Sequence, residues 1–334
     1  MSGTTAVPAR PRHAPRSAPA SGPARPAPGG GRGALKRHWD RAPGYQRLAY
    51  LAGAALIVVG LAHAAIWAVV GGSAAGPLSW RKPTTFGLSF GMTTVTLAWV
   101  ATYLPVRRWV GWGASVLLSA STTAEVAWVT VQHARGVASH FNDTTRLDDD
   151  LFTLGGASIG FTILVSTVMT FAAFARCTAP APMAWAIRAG LVALLAAQAV
   201  GAWMITHGLA LTEAGATPLT RSLSTYGAEG AMKFAHSVPM HAIQVFVIQA
   251  GLLAATTLTR RTQLRLVVSA IAGYAALSAI VVARTASGLP PADLGVSTLA
   301  YLPPGVLLTA SAVVTLIHAH RAVTRVDRRR TEPA

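Results

Sequence analysis

Residues 48–70 read LAYLAGAALIVVGLAHAAIWAVV, a run with no Asp, Glu, Lys or Arg and with one histidine, His63. About 20 apolar residues in a helix are enough to cross the roughly 30 Å hydrocarbon core of a bilayer. The run therefore predicts a transmembrane α-helix. Because ionisable side chains at membrane depth are costly and tend to have a role, His63 needs an explanation.

Seven similar runs follow along the chain. Hydrophobic residues make up 52% of the sequence and charged residues 12%, about half the charged fraction usual in soluble proteins. The sequence therefore predicts an all-α polytopic transmembrane helix bundle with about eight spans. The predicted spans are 48–70, 84–104, 109–133, 151–176, 184–206, 231–257, 263–284 and 299–319.

The spans are flanked by two basic tails. Residues 1–43 are rich in Pro, Ala, Gly and Arg without apolar periodicity, which predicts a disordered cytoplasmic tail. Residues 44–321 form the predicted transmembrane domain, and residues 322–334 a second basic tail. The net charge of +17 does not indicate nucleic-acid binding, because the basic residues lie in tails and short loops. The expected partners are the lipid bilayer and its anionic lipids.

The basic residues also predict the orientation in the membrane. Alternate flanks of the eight spans hold 21 and 7 of the Lys and Arg residues, and the richer set includes both tails. Cytoplasmic flanks carry the excess of Lys and Arg in membrane proteins. Both termini are therefore expected in the cytoplasm of a plasma-membrane protein.

Polar residues within or beside the spans are the candidate functional residues, and this orientation assigns them to the outer half of the membrane. Glu125, Lys82 and Lys233 are the candidate catalytic residues, with Glu125 as an acid or base. A second set comprises candidate ligands for a cofactor. These are His63, His133, His140, His207, His236, His241 and Gln244.

The sixth predicted span concentrates four of these residues. At about 100° per residue, Lys233, His236, His241 and Gln244 share an arc of roughly 140°. Pro239 lies between the two histidines and lacks an N–H, which predicts a kink there.

Several features also have structural explanations. His133 and His207 are equally compatible with ordinary interfacial residues near helix ends. The run Asp148–Asp150 precedes the fourth span and predicts helix capping and a favourable interaction with the helix dipole. Gly156 and Gly160 predict a close helix–helix contact.

Three motifs occur in order along the chain and resemble those of a widespread family of uncharacterised bacterial multi-pass membrane proteins. They are Trp-x-Lys-Pro at 80–83, Ser-His-Phe-Asn at 139–142 and His-x4-His-x2-Gln at 236–244. The resemblance covers the second to the sixth span, and Val245 stands where the family has proline. The family has no established activity, so the resemblance implies a shared site in a bacterial cytoplasmic membrane and leaves the reaction open.

Three functions are compatible with these residues. The first is binding of a redox cofactor, b-type haem through histidine ligands, or of a quinone. The second is an intramembrane enzyme that acts on a lipid or isoprenoid, with Glu125 as acid or base and the lysines binding an anionic head group. The third is a proton-coupled transporter of small molecules. The single cysteine, Cys177, excludes an intrachain disulfide and a cysteine metal cluster.

Overall fold

The computed structural model describes residues 31–331 except 75, 77, 217–231 and 292–295, and within these residues it contains helices and no strands. The predicted all-α bundle is confirmed. The helices are α1 (Gly31–Arg41), α2 (Gly44–Val70), α3 (Arg81–Val100), α4 (Arg108–Ala134), α5 (Arg146–Arg176), α6 (Ala181–Glu213), α7 (Met232–Met240), α8 (Ala242–Ala254), α9 (Arg260–Ala286) and α10 (Leu302–Thr331).

Seven helical segments of the described chain are long and apolar enough to cross a membrane. They include α7 and α8 taken together as Met232–Ala254. The remaining predicted span is α3, whose 20 residues reach about 30 Å. Its threonines, glycines and serine make it less apolar than these seven segments. It packs against α2 and α4. The chain is therefore a multi-pass helical bundle in which α3 is less apolar than the seven membrane-length segments.

Helices α2 and α3 are in backbone contact. A Cβ added to Gly60 would lie 2.6 Å from the Leu88 nitrogen, and one added to Gly87 would lie 2.6 Å from the Gly60 Cα. Small residues allow membrane helices to approach this closely. The contact brings the end of α2, with His63, beside the start of α3.

The close contact predicted at Gly156 and Gly160 is wrong, since no described atom lies within 4 Å of a Cβ built on either glycine. The neighbouring Gly155 makes the contact instead, with the Trp128 ring 2.6 Å from its added Cβ. One residue turns the helix by about 100°, which is enough to change the face that packs.

The kink predicted at Pro239 is confirmed. Helix α7 ends at Met240, α8 begins at Ala242, and His241 forms the turn between them with φ −91° and ψ 1°. The Tyr274 hydroxyl of α9 donates to the Val238 carbonyl at 2.7 Å, which satisfies a backbone acceptor at the break.

The two ends of the bundle differ in chemistry. A buried apolar cluster occupies one end, which we call the core end, and includes Leu97, Leu118, Val165, Ile187 and Phe246. The opposite end, where α3, α5 and α7 begin and α4 ends, is called the site end. The candidate site residues lie toward this end, so the polar side chains rest above an apolar core.

The predicted tail boundaries shift in the structure. Residues 31–41 form α1, because Ala34–Arg37 are good helix formers and Lys36 pairs with Asp40 at 2.6 Å. His38 and the Tyr50 hydroxyl lie 2.8 Å apart and join α1 to α2. Helix α10 continues to Thr331, beyond the predicted end of the transmembrane domain at 321. Residues 1–30 of the predicted tail lie outside the described residues.

Candidate functional site

Five charged or ionisable side chains from four parts of the chain meet at the site end. They are Lys82 of α3, Glu125 of α4, His140 of the 135–145 loop, and Lys233 and His236 of α7, and we call them the polar layer. Lys82 lies within electrostatic range of both Glu125 and Lys233. His140 interacts with both lysines, and Lys233 interacts with His236. Residues far apart in sequence thus form one group.

Glu125 is the acidic member of the polar layer. Its side chain is 2% exposed, and its Oε1 accepts a hydrogen bond from the Ser158 hydroxyl of α5 at 3.0 Å. Its Oε2 is buried and has no hydrogen-bond partner among the described residues. Buried carboxylate oxygens are normally satisfied, so this atom can accept a bond from a bound molecule.

Aromatic rings surround His140. The ring centroids of Trp128, Phe86 and Phe152 lie 4.6, 5.7 and 6.1 Å from the imidazole centroid. The Ser139 hydroxyl lies 3.1 Å from the His140 Nδ1. The buried Trp128 Nε1 has no partner among the described residues, so the layer also offers an N–H donor.

Phe141 fixes the loop to α6. Its backbone has φ 55°, a conformation that few residues other than glycine adopt. Its ring packs on Gly208, where an added Cβ would lie 2.4 Å from the ring. The loop therefore joins α4 to α5 at the site end and also contacts α6 through Phe141.

A buried network of polar side chains holds the loop to both of its flanking helices. Asp148 is 1% exposed, and its Oδ1 accepts from the Gln132 Nε2 at 2.8 Å and from Arg135 at 2.7 Å. Arg135 also donates to the side-chain Oε1 of Gln132. The Asp148 Oδ2 accepts from the Thr145 hydroxyl at 2.6 Å.

The same network refines the capping prediction for Asp148–Asp150. Thr145 is the N-cap residue of α5, and its Oγ1 accepts from the Asp148 nitrogen at 3.2 Å. Asp148 therefore occupies the first turn, as predicted from the helix dipole, and also binds Arg135 and Gln132. Sequence reasoning did not find this second role.

Three polar side chains on either side of the break after Pro239 contact other helices. The His236 Nδ1 lies 2.7 Å from the Ala197 carbonyl oxygen of α6. Because a carbonyl oxygen can only accept, Nδ1 carries the proton and Nε2 of the neutral ring can accept or bind a ligand. His241 and Gln244 face α3, with 3.4 Å contacts to the hydroxyls of Ser89 and Thr93 respectively.

His63 and His133 form a second group around Trp80. Their ring centroids lie 6.0 and 4.1 Å from the Trp80 centroid. Both Nδ1 atoms are buried without a hydrogen-bond partner among the described residues. Lys82 of the polar layer and His133 of this group border the same narrow gap, which is too small to hold a water molecule.

The structure brings together most of the candidate residues and leaves His207 apart, since its side chain is exposed on α6. His236 bonds to α6 and His241 to α3, whereas Trp80 lies against both His63 and His133. Within the described residues, no three His, Cys, Asp or Glu side chains are grouped to hold a metal ion.

His140→Phe is expected to reduce the loss of stability in acid. Burial, and then the positive charges of Lys82 and Lys233, lower the pKa of His140 well below its ordinary value of 6.5. Below pH 6.5 the unfolded chain therefore binds a proton that the folded chain does not, and stability falls by up to about 1.4 kcal/mol per pH unit. Above pH 6.5 the imidazole is neutral in both the folded and the unfolded chain, so this loss of stability is absent.

The measurement is the thermal unfolding midpoint of both proteins in detergent at pH 7.5 and pH 5.0. Phenylalanine preserves the aromatic packing and removes the titrating group. An equally large fall between the two pH values in both proteins would contradict the assignment to His140.

Comparison of the chain with protein-family models, with curated proteins and with solved structures finds no match.

Proposed function

We propose that the polar layer binds the head group of a membrane quinone or quinol. The observation that carries the proposal is the buried Glu125 carboxylate, which has one oxygen without a partner in the described chain and lies within electrostatic range of Lys82. A quinol hydroxyl can donate to that oxygen. The layer belongs to a membrane-spanning bundle, so its ligand is expected to be lipophilic.

Donors and acceptors in and beside the layer match the two oxidation states of such a head group. Quinone carbonyls accept hydrogen bonds, which Lys82, Lys233 and the Trp128 Nε1 can donate. Quinol hydroxyls donate, and Glu125 Oε2 can accept from them. The rings of Phe86, Trp128 and Phe152 provide apolar walls for a flat ring.

The positive charges of the layer favour a ligand that gains negative charge. Arg81, Lys82 and Lys233 lie within electrostatic range of one another, and Glu125 is the acidic group that interacts with Lys82. A quinone becomes more negative as it takes up electrons, so the lysines would bind its reduced anionic forms more strongly. Glu125 would hold or release a proton at the hydroxyl of the bound quinol.

Lys82→Met and Lys233→Met are each expected to weaken binding of a short-chain oxidised quinone about tenfold, the effect of losing one hydrogen bond from a charged donor. Tryptophan fluorescence of the purified protein during a quinone titration measures the affinity. Arg146→Gln is the matched control, because the Arg146 side chain lies at the same end and is 94% exposed. Unchanged affinity in both lysine variants would refute the proposal.

A second candidate is an intramembrane enzyme that acts on an anionic lipid or isoprenoid, with Glu125 as acid or base. The excess of basic groups around Glu125 is the observation in its favour. Competition distinguishes the two, since displacement of the quinone by an isoprenoid phosphate at much lower concentration would favour the enzyme. A Soret band in the visible spectrum of the purified protein would instead favour haem.

We also propose that the site end faces away from the cytoplasm of a bacterial cell. The support is the 21-to-7 division of Lys and Arg between alternate flanks. In a Cys177→Ser background, a cysteine in place of Arg146 should react with a membrane-impermeant maleimide on intact cells. Labelling only after cell lysis would reverse the orientation.

A further inference from the structure

An apolar groove lies at the core end, separate from the polar layer. Residues of α2, α3, α4 and α5 line it, and it encloses a volume of about 50 Å³. The lining includes Ala49, Leu97, Ala114, Leu118 and Met169, and its polar side chains are Tyr45 and Ser115. Water would find few hydrogen-bond partners there, so the groove favours hydrocarbon.

The groove runs along α4 and opens toward the surrounding lipid. Along α4 its lining runs from Val110 to Leu118, and Val106 extends it outward. At 1.5 Å per residue, the interval from 110 to 118 corresponds to about 12 Å, a little less than half of the roughly 30 Å hydrocarbon core of a bilayer. The groove is open toward the lipid, since Val168 in its wall is 43% exposed.

Basic and aromatic side chains lie at the end of the groove that is nearest the membrane surface. Arg107 and Arg108 are exposed, and neither makes a side-chain hydrogen bond or ion pair with another described residue. They stand between the lining residues Val106 and Val110. Trp109 beside them is 71% exposed, as is common for tryptophan at the level of lipid head groups.

We propose that this groove binds an anionic phospholipid, with an acyl chain against Ala114 and Leu118 and the phosphate on Arg107 and Arg108. The apolar lining selects hydrocarbon, and the paired arginines select negative charge. The site is independent of the proposed quinone site, because it shares none of the residues of the polar layer. Binding of an anionic phospholipid would explain why two adjacent arginines lie at the mouth of an apolar groove.

The test measures lipid binding to the full chain by native mass spectrometry. Dioleoyl phosphatidylglycerol and dioleoyl phosphatidylcholine have the same acyl chains and differ in head-group charge. The wild-type protein should bind the anionic lipid about 30-fold more tightly, as expected for two arginines near a phosphate. The double variant Arg107→Gln, Arg108→Gln should lose this preference and keep the stability of the wild type, since both side chains are exposed.

Two further variants make the result specific. Ala114→Phe should fill the groove and weaken the binding of both lipids at least tenfold. The control is Arg260→Gln with Arg261→Gln, which removes two exposed arginines at the same end on α9 and should keep the 30-fold preference. Equal binding of the two lipids by the wild type, or an unchanged preference in the Arg107 and Arg108 double variant, would overturn the proposal.

Discussion

Asp148→Ala is expected to lower the free energy of unfolding by about 2 kcal/mol, because it removes a buried carboxylate that accepts three side-chain hydrogen bonds. The carboxylate accepts from Gln132, Arg135 and Thr145, and its side chain is 1% exposed. Alanine leaves the buried Gln132 amide without its acceptor and the Arg135 charge without its counterion. The 135–145 loop should then separate from α4 and α5.

The measurement is the thermal unfolding midpoint of the purified protein in detergent, together with proteolysis of the loop. Asp150→Ala is the matched control two residues away, since Asp150 and Arg146 form a 3.9 Å pair with side chains that are 68% and 94% exposed. Exposed pairs of this kind contribute little to stability. If both variants unfold at the same temperature as the wild type, the network does not hold the loop.

Glu125→Gln is expected to weaken quinol binding about 30-fold and to leave binding of the oxidised quinone nearly unchanged. The carboxylate is the acceptor for a quinol hydroxyl, and a hydrogen bond to a charged group contributes about 2 kcal/mol. The oxidised head group has no hydroxyl to donate. Glutamine has nearly the same shape and can still accept from Ser158, so the fold should be retained.

Parallel titrations with the oxidised and the reduced form of one short-chain quinone measure this difference. Glu213→Gln at the exposed end of α6 is the control, because it changes the same charge away from the polar layer. Equal loss of affinity for both forms would indicate a structural role for Glu125. No loss for either form would remove Glu125 from the proposed site.

Local chemistry explains which features of the fold were predictable. Apolar runs determine the spans because each must satisfy its backbone hydrogen bonds within one helix. Pro239 predicts its own break, since the missing N–H acts within one turn of the helix. The burial of Glu125 follows from the same argument, because a carboxylate at that depth must face the interior of the bundle.

The features that sequence reasoning missed depend on rotation and on distance. Gly155 rather than Gly156 packs on Trp128, and the two glycines point 100° apart on the same helix. Asp148 resembles its acidic neighbours in sequence, and only the return of the loop brings it to Gln132. His207 lies close to other candidates in predicted depth, yet its side chain is exposed. The periodicity of apolar residues in the sequence does not distinguish these cases.

The apolar core beneath the polar layer has a consequence for proton exchange. Leu97, Leu118, Val165 and Leu191 are buried in that core, and the nearby hydroxyls of Thr162 and Ser166 donate to backbone carbonyls of their own helix. A proton that enters or leaves Glu125 would therefore travel through the site end. The protonation of Glu125 would then follow the acidity of the compartment that the site end faces.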